Sequence, residues 1–168
     1  MGEVSKRLIV VSNTSPLTNL AAINRFSLLR QLFGQLVISP AVEAELSFGG
    51  RLWPGAEHVR RADWIKRQTV IEHHLVDALR LDLDAGEAET IALALQIDAD
   101  LVLLDEQAGR RAAGYLGLNV MGVVGILIRA KQLGLVDETR SSLIALRMDA
   151  GFYLSKDVIE HALTLADE

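Results

Sequence analysis

The chain has 168 residues, half of them hydrophobic and 23% charged, a balance that supplies a full core and excludes a disordered or fibrous chain. It contains no cysteine, which excludes disulfides, cysteine-held zinc and thiol nucleophiles. The formal net charge of −5 argues against a protein that grips nucleic acid through a broad basic field, though not against a local site built on carboxylates. The opening MGEVSKRLIVV is charged and does not read as a signal peptide, and the apolar stretch Val120 to Ile128 is too short to span a membrane, so a cytoplasmic protein is expected.

In chain order, Leu8 to Val11 reads as a strand and Ser12-Asn13-Thr14-Ser15-Pro16 as a polar turn, with Ser15 capping a helix whose first position is Pro16. That helix runs from Leu17 to Ile23, and a second one runs from Phe26 to Phe33 before Gly34 closes it. Leu36 to Ile38 is the next strand, and Ser39-Pro40 opens a helix carrying Val42, Glu43, Glu45 and Leu46. Phe48 to Arg61 is irregular, with Gly49-Gly50 and Trp53-Pro54-Gly55, and is expected to be a mobile flap. Trp64-Ile65 starts a third strand, followed by helices from Leu75 to Leu81 and from Glu87 to Ile97. Leu101 to Leu104 is a buried strand, and then come a helix from Ala108 to Leu116, a strand from Asn119 to Met121 and a helix from Gly122 to Leu133. Helices from Glu138 to Met148 and from Lys156 to Ala166, the latter capped by Ser155, complete the chain. Strands alternating with helices imply an α/β fold with a parallel sheet covered on both faces.

Ligands of open α/β sheets bind beyond the carboxyl ends of the strands. Asn13 and Asp105 stand at such ends. Two helices bring further acids toward the buried side. At about 100° per residue, Glu45 lies roughly 40° from Ala41, and Glu87 lies roughly 40° from Ile91. By the same arithmetic Glu43 and Glu89 each point about 160° away from Glu45 and Glu87, toward water. Each acid alone has a plain explanation, since Asp84 and Glu87 have the spacing of a capping pair and Asp105 can cap the next helix. Gathered together, three carboxylates repel one another unless a cation neutralises them, and a hard divalent ion with oxygen ligands suits them. Arg110 and Arg111 follow Asp105 closely enough to meet RNA phosphates. Arg60, Arg61, Lys66 and Arg67 form a charged run, His73-His74 lacks ligand spacing, and Gly122 and Gly125 suggest close packing against a neighbour.

The stretches IVVSNTSPL at 9–17, ISPAVEAEL at 38–46, GEAETIALAL at 86–95 and LVLLDEQAGRRAA at 101–113 resemble the PIN-domain family of metal-dependent ribonucleases, especially VapC-like toxins. GVVGILIRAKQLGLV at 122–136 and the Gly-Phe-x-Leu-Ser segment are similar to one branch of that family. The resemblance implies a single three-layer α/β/α domain over residues 1–168, with a sheet of about five parallel strands and a C-terminal helical extension over about 137–168. It further implies an endoribonuclease that hydrolyses RNA with Mg²⁺ or Mn²⁺ held by Asp105, Glu45 and Glu87, supported by Thr14 and Ser15. Asn13 stands where the family has aspartate; its carbonyl oxygen can meet a metal but brings no charge and cannot act as a base. Glu106 is the residue that could replace the missing carboxylate. A toxin implies a small antitoxin as partner, with room for a homodimer. The alternative expectation is a catalytically weakened or inactive PIN fold kept as an RNA-binding or protein-interaction module, and a third is a metal-free regulatory module whose acids are only helix caps.

Overall fold

The structure is a computed structural model and describes residues 7–47 and 53–168. Five short strands form one parallel sheet: β1 (Val10–Ser12), β2 (Leu36–Ile38), β3 (Ile65–Arg67), β4 (Leu101–Leu103) and β5 (Val120–Met121), in the order β3-β2-β1-β4-β5. β1 is central, with Val11 beside Val37 on one flank and Val102 on the other. The chain builds outward from β1 to β3, then returns to place β4 and β5 on the opposite side. The β1–β4 seam is therefore the point where strand order reverses, the usual position of a ligand crevice in such sheets.

Side chains alternate across the strands, so consecutive residues feed different cores. Val10, Leu36, Ile38 and Leu103 join one apolar cluster with α1 (Thr14–Ala22), α2 (Ser27–Phe33), α8 (Val123–Gln132), α9 (Arg140–Met148) and α10 (Lys156–Leu165). Val11, Val102 and Leu104 join the other with α6 (Ala85–Gln96) and α7 (Gln107–Tyr115). Two cores on opposite faces of one sheet make the three layers that the alternation of strands and helices implied. Three short helices complete the described fold: α3 (Pro40–Glu45), α4 (Ala56–Arg61) and α5 (His73–Leu79). No described helix is long and apolar enough to cross a membrane.

Local signals explain most of these elements. Ser39 accepts from the Val42 N–H at the head of α3, and Ser155 accepts from the Val158 N–H at the head of α10. Asp84 and Glu87 form a full capping box on α6. Two expectations need correcting. Ser15 does not cap α1: the helix begins at Thr14, Asn13 occupies the cap position with extended backbone, and Pro16 sits in the first turn, where an N–H has no helical partner to lose. The stretch expected to be an irregular flap contains α4, with Ala56 and Val59 buried and Arg60 and Arg61 turned back onto Glu57. Residues 48–52 of that expected flap lie outside the described residues.

Candidate active site at the carboxyl edge of the sheet

Asn13 leaves β1 with its backbone N–H on the Leu103 carbonyl, 2.9 Å away, which ties it to the end of β4. Its side chain is 4% exposed, and Oδ1 has no hydrogen-bond partner. An unpaired buried carbonyl costs about 1–3 kcal/mol, a cost that a donor or a cation reaching this oxygen would recover. The first turn of α1 adds two hydroxyls. Thr14 Oγ1 donates to Glu45 Oε2 at 2.5 Å, and Ser15 Oγ donates to Asp105 Oδ2 at 3.3 Å. One polar turn after β1 thus reaches carboxylates from two different elements.

Each of those carboxylates is also fixed by the amino end of a helix. The Gly86 N–H, in the first turn of α6, donates to Glu45 Oε1 at 2.9 Å. The Val123 N–H, first in α8, donates to Asp105 Oδ1 at 2.7 Å. Helix amino termini present free N–H groups and positive potential, and so favour anions. Two glycines make the approaches feasible. A Cβ on Gly86 would stand 2.5 Å from both Glu45 oxygens, and one on Gly122 would stand 2.8 Å from Asp105 Oδ1 and 2.5 Å from Arg110 Nη1. Gly122 therefore packs against the site itself, while Gly125 packs on the Met121 side chain.

Asn13, Thr14, Ser15, Glu45 and Glu106 line one cavity of about 320 Å³, joined by Thr18, Trp53 and Asp84. Asp105 is linked to it through Ser15 and opens onto a neighbouring groove shared with Arg110. Glu87 is 6% exposed and turns back to accept from the Asp84 N–H at 3.1 Å, so the capping interpretation of this acid holds in the structure. It still belongs to the same field. Burial raises its proton affinity first, the hydrogen bond from the Asp84 N–H opposes this, and the charges of Asp84, Glu106 and Glu45 raise it further. Burial likewise pushes Asp105 above the ordinary carboxylate range, opposed by the hydrogen bonds from Val123 and Ser15 and by the nearby Arg110. Carboxylates that resist ionisation in a polar crevice are a common mark of a functional site.

The helical arithmetic holds for Glu43, which is exposed and pairs with Arg67 at 2.9 Å. It misplaces Glu89. Expected in water, Glu89 is half-buried and accepts from the Ala41 N–H at 2.8 Å, capping α3 across the gap between helices. Helix position shows which face a residue occupies but not whether another helix end covers that face. Arg110 lies over Gly122 beside Asp105, whereas Arg111, about 100° further round α7, is exposed and lines a separate cavity with Ala78, Leu79 and Asp82. His73 and His74 are exposed at the head of α5, and Arg60, Arg61 and Arg67 are engaged by Glu57 and Glu43. The anchoring glycines Gly86 and Gly122 and the cavity residue Trp53 were not recognised as site residues from sequence. Gly86 was detectable as a glycine in a first turn next to an acid motif, whereas Gly122, the cap residue of α8, showed only as a glycine suggesting close packing, and Trp53 gave no signal.

The donor set suits a hard divalent cation: carboxylate oxygens from separate elements and one unpaired amide oxygen, with no sulfur or imidazole among them. Among the described residues no group of three acidic or histidine side chains is drawn tightly enough to enclose an ion. A cation here would take one or two carboxylates, the Asn13 carbonyl and several waters, the habit of Mg²⁺. No curated protein and no solved structure matches the chain. A family model described as a PIN domain matches residues 9–168, nearly the whole of a fold whose polar crevice sits at the β1–β4 seam, and the chain belongs to the PIN-domain family.

Proposed function

We propose that this chain is a metal-dependent endoribonuclease that hydrolyses RNA phosphodiesters with Mg²⁺ or Mn²⁺. PIN domains are generally nucleases, generally use divalent metals and bind RNA. The observation that carries the reading is the meeting of Asn13, Glu45 and Asp105 through the single turn Thr14-Ser15 at the β1–β4 seam. In this reading Asp105 and Glu45 are the charged oxygen donors, Asn13 Oδ1 is the neutral one, and Glu87 and Glu106 deepen the negative field. Thr14 and Ser15 hold the two donor carboxylates in orientation, and Arg110 meets a phosphate of the substrate. A bound divalent ion would supply charge neutralisation at the phosphate and a more acidic water for in-line attack. Hydrolysis adds the water oxygen to phosphorus, breaks the phosphorus–oxygen bond to the leaving sugar and returns a proton to that oxygen. Resemblance of the motifs to VapC-like toxins extends the proposal to a toxin with a small antitoxin partner.

Asn13 favours a second reading, a PIN fold with weakened or lost catalysis that binds RNA or protein. The two are separated by cleavage of end-labelled RNA with Mn²⁺, with chelator, and with Asp105→Asn purified identically. Cleavage by the native chain that vanishes in both controls supports the nuclease. RNA binding with no cleavage selects the second reading, and cleavage that survives the substitution refutes this assignment of the site.

A further inference from the structure

Beside the candidate site runs a second cavity, about 550 Å³, lined by Asp105 and Arg110 and continuing past Gly125 and Ile128 of α8 to Tyr153 and His161. The volume falls within the range of small-ligand sites. From Gly122, under the Arg110 guanidinium, to Ile128 the helix advances about 9 Å at 1.5 Å per residue. The two cavities adjoin through Asp105: Ser15, which lines the first, donates to one of its oxygens, and the residue itself lines the second. Whatever lies on Asp105 therefore has a neighbour in this groove.

The lining has an uneven chemistry. Arg110 is exposed, and its guanidinium rests on the bare backbone of Gly122 beside Asp105, the position from which a cation meets a phosphate. Farther along, the floor is apolar. Tyr153 is 88% exposed although Leu154 next to it is 6% exposed and Phe152 packs partly into the core. The segment is pinned on both sides of Tyr153, so a large aromatic ring is displayed from a fixed backbone without being used in the core.

We propose that this groove is a nucleotide subsite, resting on the nuclease reading above. Arg110 receives a phosphate adjoining the scissile one, the apolar floor takes the attached nucleoside, and Tyr153 stacks on its base. Cation, apolar floor and displayed aromatic are the parts by which single-stranded nucleic acid is held, and continuity with Asp105 favours the substrate over an unrelated protein.

The test is binding of fluorescein-labelled hexauridylate, followed by anisotropy in chelator, to the native chain, Tyr153→Ala and Tyr153→Phe. A hexameric sugar–phosphate lacking bases serves as the comparison probe. Loss of base stacking predicts about 5- to 100-fold weaker hexauridylate binding for Tyr153→Ala, with Tyr153→Phe near native and the base-free probe indifferent to either change. Equal hexauridylate affinity for Tyr153→Ala and the native chain overturns the subsite, as does the absence of binding to the native chain or an equal loss with the base-free probe. A concentration-dependent dimer that Tyr153→Ala dissolves assigns the groove to a second copy and also overturns it. Because binding is read in chelator, failure of cleavage with Mn²⁺ refutes the nuclease reading without touching this result, and the reverse holds as well.

Discussion

Replacing Gly86 by alanine separates what the fold needs from what the site needs. The added Cβ would stand 2.5 Å from both Glu45 carboxylate oxygens and 2.7 Å from the carbon between them, so the carboxylate must move. Gly86 lies inside α6 with no left-handed backbone, and alanine is favoured there by at most about 1 kcal/mol. Against this stands the charged hydrogen bond from the Gly86 N–H to Glu45, worth about 1.5–3 kcal/mol when intact. The net cost to the apo fold is about 0.5–2 kcal/mol, a fall of a few degrees in Tm for a chain of this length. The displaced group is the far end of a flexible side chain, so the fold survives, but Glu45 leaves the position that faces Asn13 and Thr14. Loss of a group that orients a metal ligand typically costs about 10- to 100-fold in affinity. Calorimetric titration with Mn²⁺, paired with apo melting curves, should show that loss with the fold retained. Gly114→Ala is the matched control, because nothing lies within 4 Å of its added Cβ, and it should bind Mn²⁺ like the native chain. Glu45→Asp in the Gly86→Ala background shortens the clashing side chain and should recover part of the affinity. Native Mn²⁺ affinity in Gly86→Ala would refute the reasoning, showing that this contact does not position a metal ligand.

Two further outcomes follow from the same electrostatics. Asn13→Asp places a charge in a buried position already facing carboxylates, so it should lower the Tm of the apo protein by several degrees while enlarging the Tm gain on adding Mn²⁺; thermal melts with and without the ion check this, and an unchanged gain would remove Asn13 from the metal site. Asp105 and Glu87 are both shifted upward by burial, so the folded state binds protons more tightly than the unfolded one. Their contribution to stability is complete below the ordinary carboxylate range and is lost as pH rises through their elevated values. Melting curves from pH 4 toward pH 7 should show this component fall in metal-free protein and shrink in Asp105→Asn; a component of the same size in that variant would contradict the assignment.

The sequence by itself determined the layered plan and the positions of the acids. Apolar runs too short for anything but strands alternated with amphipathic segments, and cap signals at Ser39 and Ser155 placed two helix starts, while α6 begins at Ala85, two residues before the Glu87 start expected from sequence. A side-chain cap is a local interaction, so residues a few places apart are enough to specify it. For the same reason the inward lean of Glu45 and Glu87 was readable from helical periodicity. The roles of neighbouring residues were not. Ser15 looked like a cap but bonds Asp105, 90 residues away, and Glu89 looked solvated but closes α3, 48 residues away. Arg110 and Arg111 are adjacent in the chain but face different cavities. In each case the deciding partner comes from another element: for Ser15 the strand order that lays β4 beside β1 brings it within reach, and for Glu89 and Arg111 the packing of α6 against α3 and of α7 near α5 does. The same holds for Gly86 and Gly122, whose missing side chains matter because two distant carboxylates occupy the space. Periodicity and caps are properties of a segment, whereas a site is a property of the gaps between segments, and only the tertiary packing fills those gaps.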